Sequence, residues 1–265
     1  MSPNPNAIAA ADTFHLPLTS VMMAGIIPAL FGLILTYFLA KRLINKGSKV
    51  TDKEVIVLET QNLPSFLTAL VAPLVAILLL ALRPLFDIKV DPLIALPLGG
   101  LIGALCMGKL RNINSYAING LSKMTPVAIM LLGTGALAGI IANSGLKEVL
   151  IQGLEHSGLP SYILAPISGV LMSLATASTT AGTAVASNVF SSTLLELGVS
   201  SLAGAAMIHA GATVFDHMPH GSFFHATGGS VNMDIKERLK LIPYESVVGL
   251  MMTIVSTLIF GVFKF

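Results

Sequence analysis

The segment FDHMPHGSFFHATGG, residues 215–229, contains three histidines and one aspartate in an otherwise apolar chain. Asp216, His217 and His220 are residue types that can take up and release protons, and histidine titrates near neutral pH. The same side chains are also ligand types for zinc or iron. Pro219 opposes the regular helix that would place His217 and His220 on one face, which favours proton transfer over a metal site.

The composition predicts a membrane protein. Hydrophobic residues make up 54% of the 265 residues and charged residues 11%, whereas soluble domains contain about 25% charged residues. The mean hydropathy is +0.84. Runs such as Leu16–Ala40, which contains no charged residue, are long enough to cross a lipid bilayer as a helix. We therefore expect an all-α, polytopic membrane protein.

Charge and cysteine content exclude other classes. A formal charge of +2 is too small to indicate a nucleic-acid partner. The single cysteine, Cys106, excludes an internal disulfide and a metal site with several cysteines.

Basic clusters between the apolar runs predict the orientation. Lys41–Lys53 contains five lysine or arginine residues, and Asp234–Lys240 contains three. Because cytoplasmic loops are enriched in these residues, we expect both clusters on the cytoplasmic side of the inner membrane and Phe265 on the outer side.

Residues 159–195 are 37 consecutive residues without a charge. As one helix they would measure about 55 Å, against a hydrocarbon thickness of about 30 Å. Their middle, ATASTTAGT (175–183), contains five serines or threonines. Such hydroxyls can bond to the preceding helical turn or support helix packing. Their density favours a re-entrant hairpin over 159–197, with a polar tip near the membrane midplane.

Residues 198–233 are expected to cross the membrane once as a broken helix, followed by a final helix at 244–263. Pro219 removes a backbone donor, and Gly221 lowers helix propensity. The interruption frees backbone groups that a bound ion or carboxylate can use. The histidines can instead cap the broken helix ends, so a structural role for them stays open.

Two long segments resemble a known transporter family. IHAGATVFDHMPHGSFFHATGGSVNMDIKERLKLIPYESVVGL and YILAPISGVLMSLATASTTAGTAVASNVF are similar to the C-terminal half of the gluconate:proton symporter (GntP) family, which belongs to the ion transporter superfamily. The broken helix reads Asp-His-x-Pro-His-Gly here, whereas the gluconate permeases have Ser-His-x-Asn-Asp. The resemblance therefore implies a related hydroxy or carboxylic acid as well as gluconate.

The resemblance implies an inverted-repeat fold, in which each repeat contributes a hairpin and a discontinuous helix. MSPNPNAIAAA resembles the proline-rich loop of the first repeat, so 1–62 would be the end of that repeat and 63–265 the second repeat. Pro3 precedes Pro28 by 25 residues and Pro219 precedes Pro243 by 24, as two copies of one unit would. The chain would then be N-terminally truncated, and the hairpin tip and Asp216 would lack protein partners.

The resulting hypothesis is a secondary active transporter, not an enzyme, which moves a small organic anion in symport with a proton. Asp216, His217 and His220 would carry the proton. The expected substrate-binding residues lie at the hairpin tip, along its second arm and at the break: Ser178, Thr179, Thr180, Asn188, Gly221 and Ser222.

The sequence is also compatible with two alternatives, sodium coupling and a metalloenzyme. Sodium can replace the proton, because broken-helix carbonyls also bind it. A membrane-embedded metalloenzyme would use Asp216, His217 and His220 as ligands. No cofactor is expected. The expected partners are the bilayer, the small carboxylate, and either a second copy of the chain or a separate N-terminal half.

Overall fold

The computed structural model describes residues 4–46, 64–86, 88, 90–231 and 233–265. The described residues form helices and no strand, which confirms the all-α prediction. Most of the predicted cytoplasmic loop after Lys46, together with Pro3, lies outside the described residues. The helices are α1 (Pro5–Thr13), α2 (Leu18–Ala24), α3 (Ile26–Leu43), α4 (Phe66–Phe86), α5 (Pro92–Cys106), α6 (Ile113–Ala142), α7 (Leu146–Ser157), α8 (Leu164–Thr176), α9 (Thr179–Glu196), α10 (Ser201–Gly211), α11 (Ser222–Ser230), α12 (Ile235–Leu239) and α13 (Ile242–Ser256), which continues as a π-helix over Thr257–Val262.

The chain forms two compact units. Among the described residues, one unit contains 4–46 and 131–265, and the other contains those between 64 and 130. Within the larger unit, α1 packs on α9 and α3 packs on α13, so helices on both sides of the expected repeat boundary after residue 62 are in contact. In the smaller unit α4 and α5 cross closely, since a methyl group at Gly103 would lie 2.6 Å from the Cβ of Ala72.

Two helical segments among the described residues are long and apolar enough to cross a membrane. They are Leu18–Leu43 and Ile235–Val262, and only 33% of the most apolar stretch of each is buried. The outward side of α3 carries large apolar residues, including Leu33 and Phe38. An exposed apolar surface of this length is typical of a helix in contact with lipid, in agreement with the membrane protein expected from the composition.

The helices α3 and α13 pack against each other in antiparallel directions. Gly32, in the first half of α3, lies against Met252 near the end of α13. Leu43, at the end of α3, lines the same pocket as Tyr244 at the start of α13. A side chain at Gly32 would meet Met252 at 2.8 Å, so glycine allows the close approach. This pair forms one wall of the pocket described below.

The core of the larger unit lies where α8 crosses α10. A methyl group at Gly169 would lie 2.3 Å from the carbonyl oxygen of Ile208, and one at Gly211 would lie 2.3 Å from that of Pro166. The two backbones therefore touch through glycines, as in small-residue crossings of membrane helices. This rigid crossing supports both the hairpin α8–α9 and the segment that follows α10.

Candidate functional site

The hydroxyl-rich middle of the uncharged run forms the tip of a helical hairpin. α8 ends at Thr176, Ala177 adopts a left-handed conformation with φ 46°, and Ser178 is extended and begins α9. The Oγ of Ser178 accepts a hydrogen bond of 3.2 Å from the N–H of Ala181. Serine is favoured at this position because its oxygen satisfies a free donor of the first helical turn. The tip therefore presents the N-terminus of an 18-residue helix.

The break lies directly against this tip. Residues 212–221, between α10 and α11, are not helical. A methyl group at Gly221 would lie 2.3 Å from the carbonyl oxygen of Ala177 and 2.6 Å from its Cβ. Only glycine fits at this contact without a displacement, so the backbone of the break touches the backbone of the tip.

A chain of hydrogen bonds connects the tip, the break and α13. Thr179 Oγ1 donates to Asp216 Oδ2 at 2.5 Å, and Asp216 Oδ1 lies 3.1 Å from His217 Nδ1. His217 Nε2 lies 2.9 Å from Ser246 Oγ and 3.2 Å from the carbonyl oxygen of Ile242. We call Thr179, Asp216, His217 and Ser246 the Asp216 chain.

The hydrogen bonds of the Asp216 chain are compatible with two protonation states. A neutral imidazole donates from only one of its nitrogens. If Nδ1 carries the hydrogen, it donates to an ionised Asp216, and Nε2 accepts from Ser246. If Nε2 carries the hydrogen, it donates to the carbonyl of Ile242, and the lone pair of Nδ1 then requires a protonated Asp216. The two arrangements differ by one proton, so the contact between Asp216 and His217 can gain or lose a proton while its hydrogen bond stays satisfied.

The two members of this contact differ in exposure. The side chain of His217 is 2% exposed and that of Asp216 is 23% exposed. Asp216 is therefore the more accessible of the two side chains.

The structure brings some of the sequence-predicted residues together and separates others. Thr179, Asp216 and His217 are hydrogen bonded, and Gly221 contacts the tip. Thr180 is at the tip, but its hydroxyl donates to Asn6 Oδ1 of α1. Ser178 caps α9.

Three predicted residues lie outside the hydrogen-bonded group. Asn188 is exposed and donates to the carbonyl oxygen of Ala184 in its own helix at 2.9 Å. Ser222 is the exposed first residue of α11. His220 is exposed and makes no hydrogen bond to another described residue. The break is not helical there, so a spacing of three residues does not place His220 beside His217.

The expectation that the tip and Asp216 lack protein partners is wrong. Asn6, on the N-terminal helix α1, accepts from Thr180, and Asp216 is bonded to Thr179 and His217. Ser246, which bonds to His217, was not among the residues expected from the sequence. A polar Asn6 in the alanine-rich helix α1 is a signal that could have been used, whereas nothing in the local pattern marks Ser246.

Asp216 also borders an open pocket of about 370 Å³, within the range of small-molecule sites. The hairpin tip contributes no lining residue among those described. Asp216 therefore lies between the tip on one side and the pocket on the other. The lining comes from α3, the break, the start of α11 and α13: Thr36, Leu39, Ala40, Leu43, Thr213, Asp216, His217, Phe223, Tyr244, Glu245, Val248, Gly249 and Met252.

The geometry does not favour the metal alternative. Among the described residues, no three histidine, cysteine, aspartate or glutamate side chains are grouped so that they could hold a metal ion. Asp216 and His217 are adjacent, but His220 does not join them.

Comparison with known sequences points to transporters. Residues 68–157, about a third of the chain, match the model of the Na⁺–H⁺ antiporter family. The whole chain is 99% identical to 63% of an uncharacterized transporter of Haemophilus influenzae. Over 97% of its length it is 23% identical to 64% of the high-affinity gluconate transporter of Escherichia coli K12. No solved structure matches the chain.

The matches cover only part of each relative. The chain spans less than two thirds of the length of either relative. The Asp216 chain lies outside the segment that matches the antiporter family. By sequence, the chain is therefore similar to part of a membrane transporter and not to an enzyme.

Proposed function

We propose that the chain forms part of a multi-pass secondary transporter of the inner membrane, which moves a small organic anion together with a proton. The observation that carries the proposal is the Asp216 chain, which connects the hairpin tip to α13 beside a pocket of ligand size. The resemblance to the GntP family and the distant similarity to a gluconate transporter support a hydroxy or carboxylic acid as the substrate.

In the proposed mechanism Asp216 couples the two solutes. An ionised Asp216 accepts the hydrogen bond of the Thr179 hydroxyl at the N-terminus of α9, where the helix dipole favours negative charge. Protonation removes that charge and frees the hydroxyl of Thr179 to donate to another oxygen of the substrate. Backbone N–H groups at the starts of α9 and α11 can then serve as donors, as half-helix ends do in other transporters. His217 accepts the proton from Asp216 as the cycle continues.

The length of the first hairpin arm supports a re-entrant position. α8 has 13 residues, which is about 20 Å at 1.5 Å per residue, and the hydrocarbon core is about 30 Å thick. An arm of that length returns before it crosses the bilayer. The polar tip is then placed inside the membrane, where buried protein contacts satisfy its polar groups.

A second candidate function is sodium–proton exchange. It is favoured by the partial match to the Na⁺–H⁺ antiporter family. The pocket lining also includes two carboxylates, Asp216 and Glu245, and contains no lysine or arginine among the described residues. A cation would be attracted to such a lining.

Uptake into proteoliposomes separates the two functions. The longer Haemophilus influenzae relative is reconstituted and supplied with labelled gluconate, glycerate or lactate, with and without an inward proton gradient and with and without sodium. We expect uptake of at least one anion that requires the proton gradient and is independent of sodium. Sodium efflux driven by protons, with no anion uptake, would support the exchanger instead.

Thr179→Val is expected to reduce proton-driven uptake about tenfold or more, because the variant loses a hydrogen bond to a charged group. Thr179→Ser keeps the hydroxyl and is the matched control, with uptake close to that of the parent protein. Because the hydroxyl bonds to Asp216, we also expect the Val variant to shift the pH profile of uptake. Equal uptake by the Val and Ser variants would show that the hydroxyl of Thr179 is not required for transport.

The proposed topology predicts which positions can be labelled from each side. Lys46 and Lys240 line one pocket of about 380 Å³, which supports a location of the two basic clusters on the same side of the membrane. With the exposed Cys106 replaced by serine, Lys46→Cys and Lys240→Cys should react with an impermeant maleimide only after permeabilisation. Phe265→Cys should react in intact cells with a permeable outer membrane. Labelling of Lys46→Cys in intact cells would contradict the topology.

A further inference from the structure

Arg238 of α12 is a buried cation with unused hydrogen-bonding capacity. It is 2% exposed. Its Nη1 donates to Glu245 Oε2 at 2.7 Å, and its Nε donates to the carbonyl oxygen of Phe224 at 3.3 Å and to Thr227 Oγ1 at 3.2 Å. Its Nη2 is buried and has no hydrogen-bond partner among the described residues.

Arg238 lies directly behind the wall of the pocket that contains Asp216. Its guanidinium carbon is 6.0 Å from the ring centroid of Phe223 and 5.0 Å from that of Phe224. Phe223 and Glu245 both line the pocket. The side chain of Glu245 is 31% exposed, so it is in contact with both the pocket and the buried guanidinium.

The contact between Arg238 and Glu245 leaves room for a second anion. A guanidinium can bind a carboxylate through two parallel N–H···O bonds, but only one bond joins this pair. A buried donor without an acceptor is unfavourable. A ligand that supplies an oxygen acceptor to Nη2 would therefore bind favourably at Arg238. A carboxylate or a related oxyanion has the required geometry.

We propose that Arg238 binds the carboxylate of the transported anion, and that Glu245 forms the ion pair with Arg238 while the pocket is empty. This inference rests on the proposed anion transport. It accounts for how a pocket lined by Asp216 and Glu245 can accept a negative charge. The substrate replaces Glu245 on Arg238, and the partly exposed Glu245 turns to the solvated pocket.

The exchange of partners predicts opposite effects for the two members of the pair. Glu245→Gln removes the competing charge and keeps the shape, so it should lower the KM for the transported acid about tenfold. Arg238→Gln should raise the KM at least about tenfold. Lys236→Gln, which removes a positive charge from an exposed position of the same helix, should leave the KM unchanged.

These variants are introduced at the equivalent positions of the longer Haemophilus influenzae relative. Two measurements are made with gluconate, glycerate and lactate: the KM of proteoliposome uptake, and the shift in melting temperature of the purified protein on addition of each acid. The melting shift reports binding without transport, so an Arg238→Gln protein that melts normally but shows no shift has lost only the ligand site.

The outcomes distinguish the inference from the proposed function. A lower KM for Glu245→Gln, together with loss of the melting shift in Arg238→Gln, supports the exchange of partners. Normal anion uptake by the parent protein with an unchanged or raised KM in Glu245→Gln would overturn the inference alone, and would identify the pair as a structural link between α11 and α13. Neither uptake nor a melting shift with any acid would overturn both proposals.

Discussion

Asp216→Asn is expected to abolish proton-driven anion accumulation while the protein still reaches the membrane in normal amounts. The amide oxygen can still accept the hydrogen bond from Thr179, so the contact between the tip and the break survives. The variant cannot be protonated and deprotonated, so the anion loses its coupling to the proton gradient. The measurement is accumulation of the labelled acid in proteoliposomes with an imposed pH gradient.

Two further measurements test whether the loss is specific. Asp234→Asn changes an exposed aspartate just beyond α11 and should leave accumulation intact. Counterflow exchange, which needs no net proton movement, should survive in Asp216→Asn. Accumulation at the parental level in Asp216→Asn would assign this carboxylate to structure and would move the proton site elsewhere.

Gly221→Ala should eliminate uptake and lower the stability of the protein. The added methyl group would lie 2.3 Å from the carbonyl oxygen of Ala177, a backbone atom that moves only if the hairpin tip moves. Overpacking of this kind costs about 1–3 kcal/mol. The melting temperature should fall by roughly 2–4 °C for each kcal/mol. The φ of Gly221 is −99°, which alanine adopts without strain, so the effect isolates the steric contact.

Gly229→Ala, in the helix that begins directly after Gly221, is the matched control. A methyl group at Gly229 would meet no atom within 4 Å, and alanine has the higher helix propensity. Its uptake and melting temperature should equal or exceed those of the parent protein. If Gly221→Ala behaved like Gly229→Ala, the tip and the break would not be in contact in the working transporter.

The sequence was informative where local chemistry determines the structure. The hydroxyl-rich middle of an uncharged run contains the hairpin turn, because Ser178 is a good helix cap and several small residues follow it. Pro219 and Gly221 mark a segment that is not helical. Asp216 and His217 are neighbours in the chain, so their contact needed no knowledge of the fold.

The sequence was not informative where partners are far apart in the chain. The non-helical segment begins at Ala212, well before Pro219. There the backbone of Thr213 packs against Gly249, where a methyl group would lie 2.4 Å from the carbonyl oxygen of Thr213. Ser246 is 29 residues from His217. Periodicity and propensity describe single elements, and they contain no information about which distant elements touch.

The contact between Asn6 and Thr180 has a consequence for how the protein is made. The two residues are 174 positions apart. Because a ribosome adds about 5–20 residues per second, Thr180 is synthesised roughly 9–35 s after Asn6. During that interval water, lipid headgroups or the insertion machinery must solvate the amide of Asn6. The hairpin then docks as a late element onto an early helix, and any delay in its synthesis lengthens the time for which α1 is exposed to other chains.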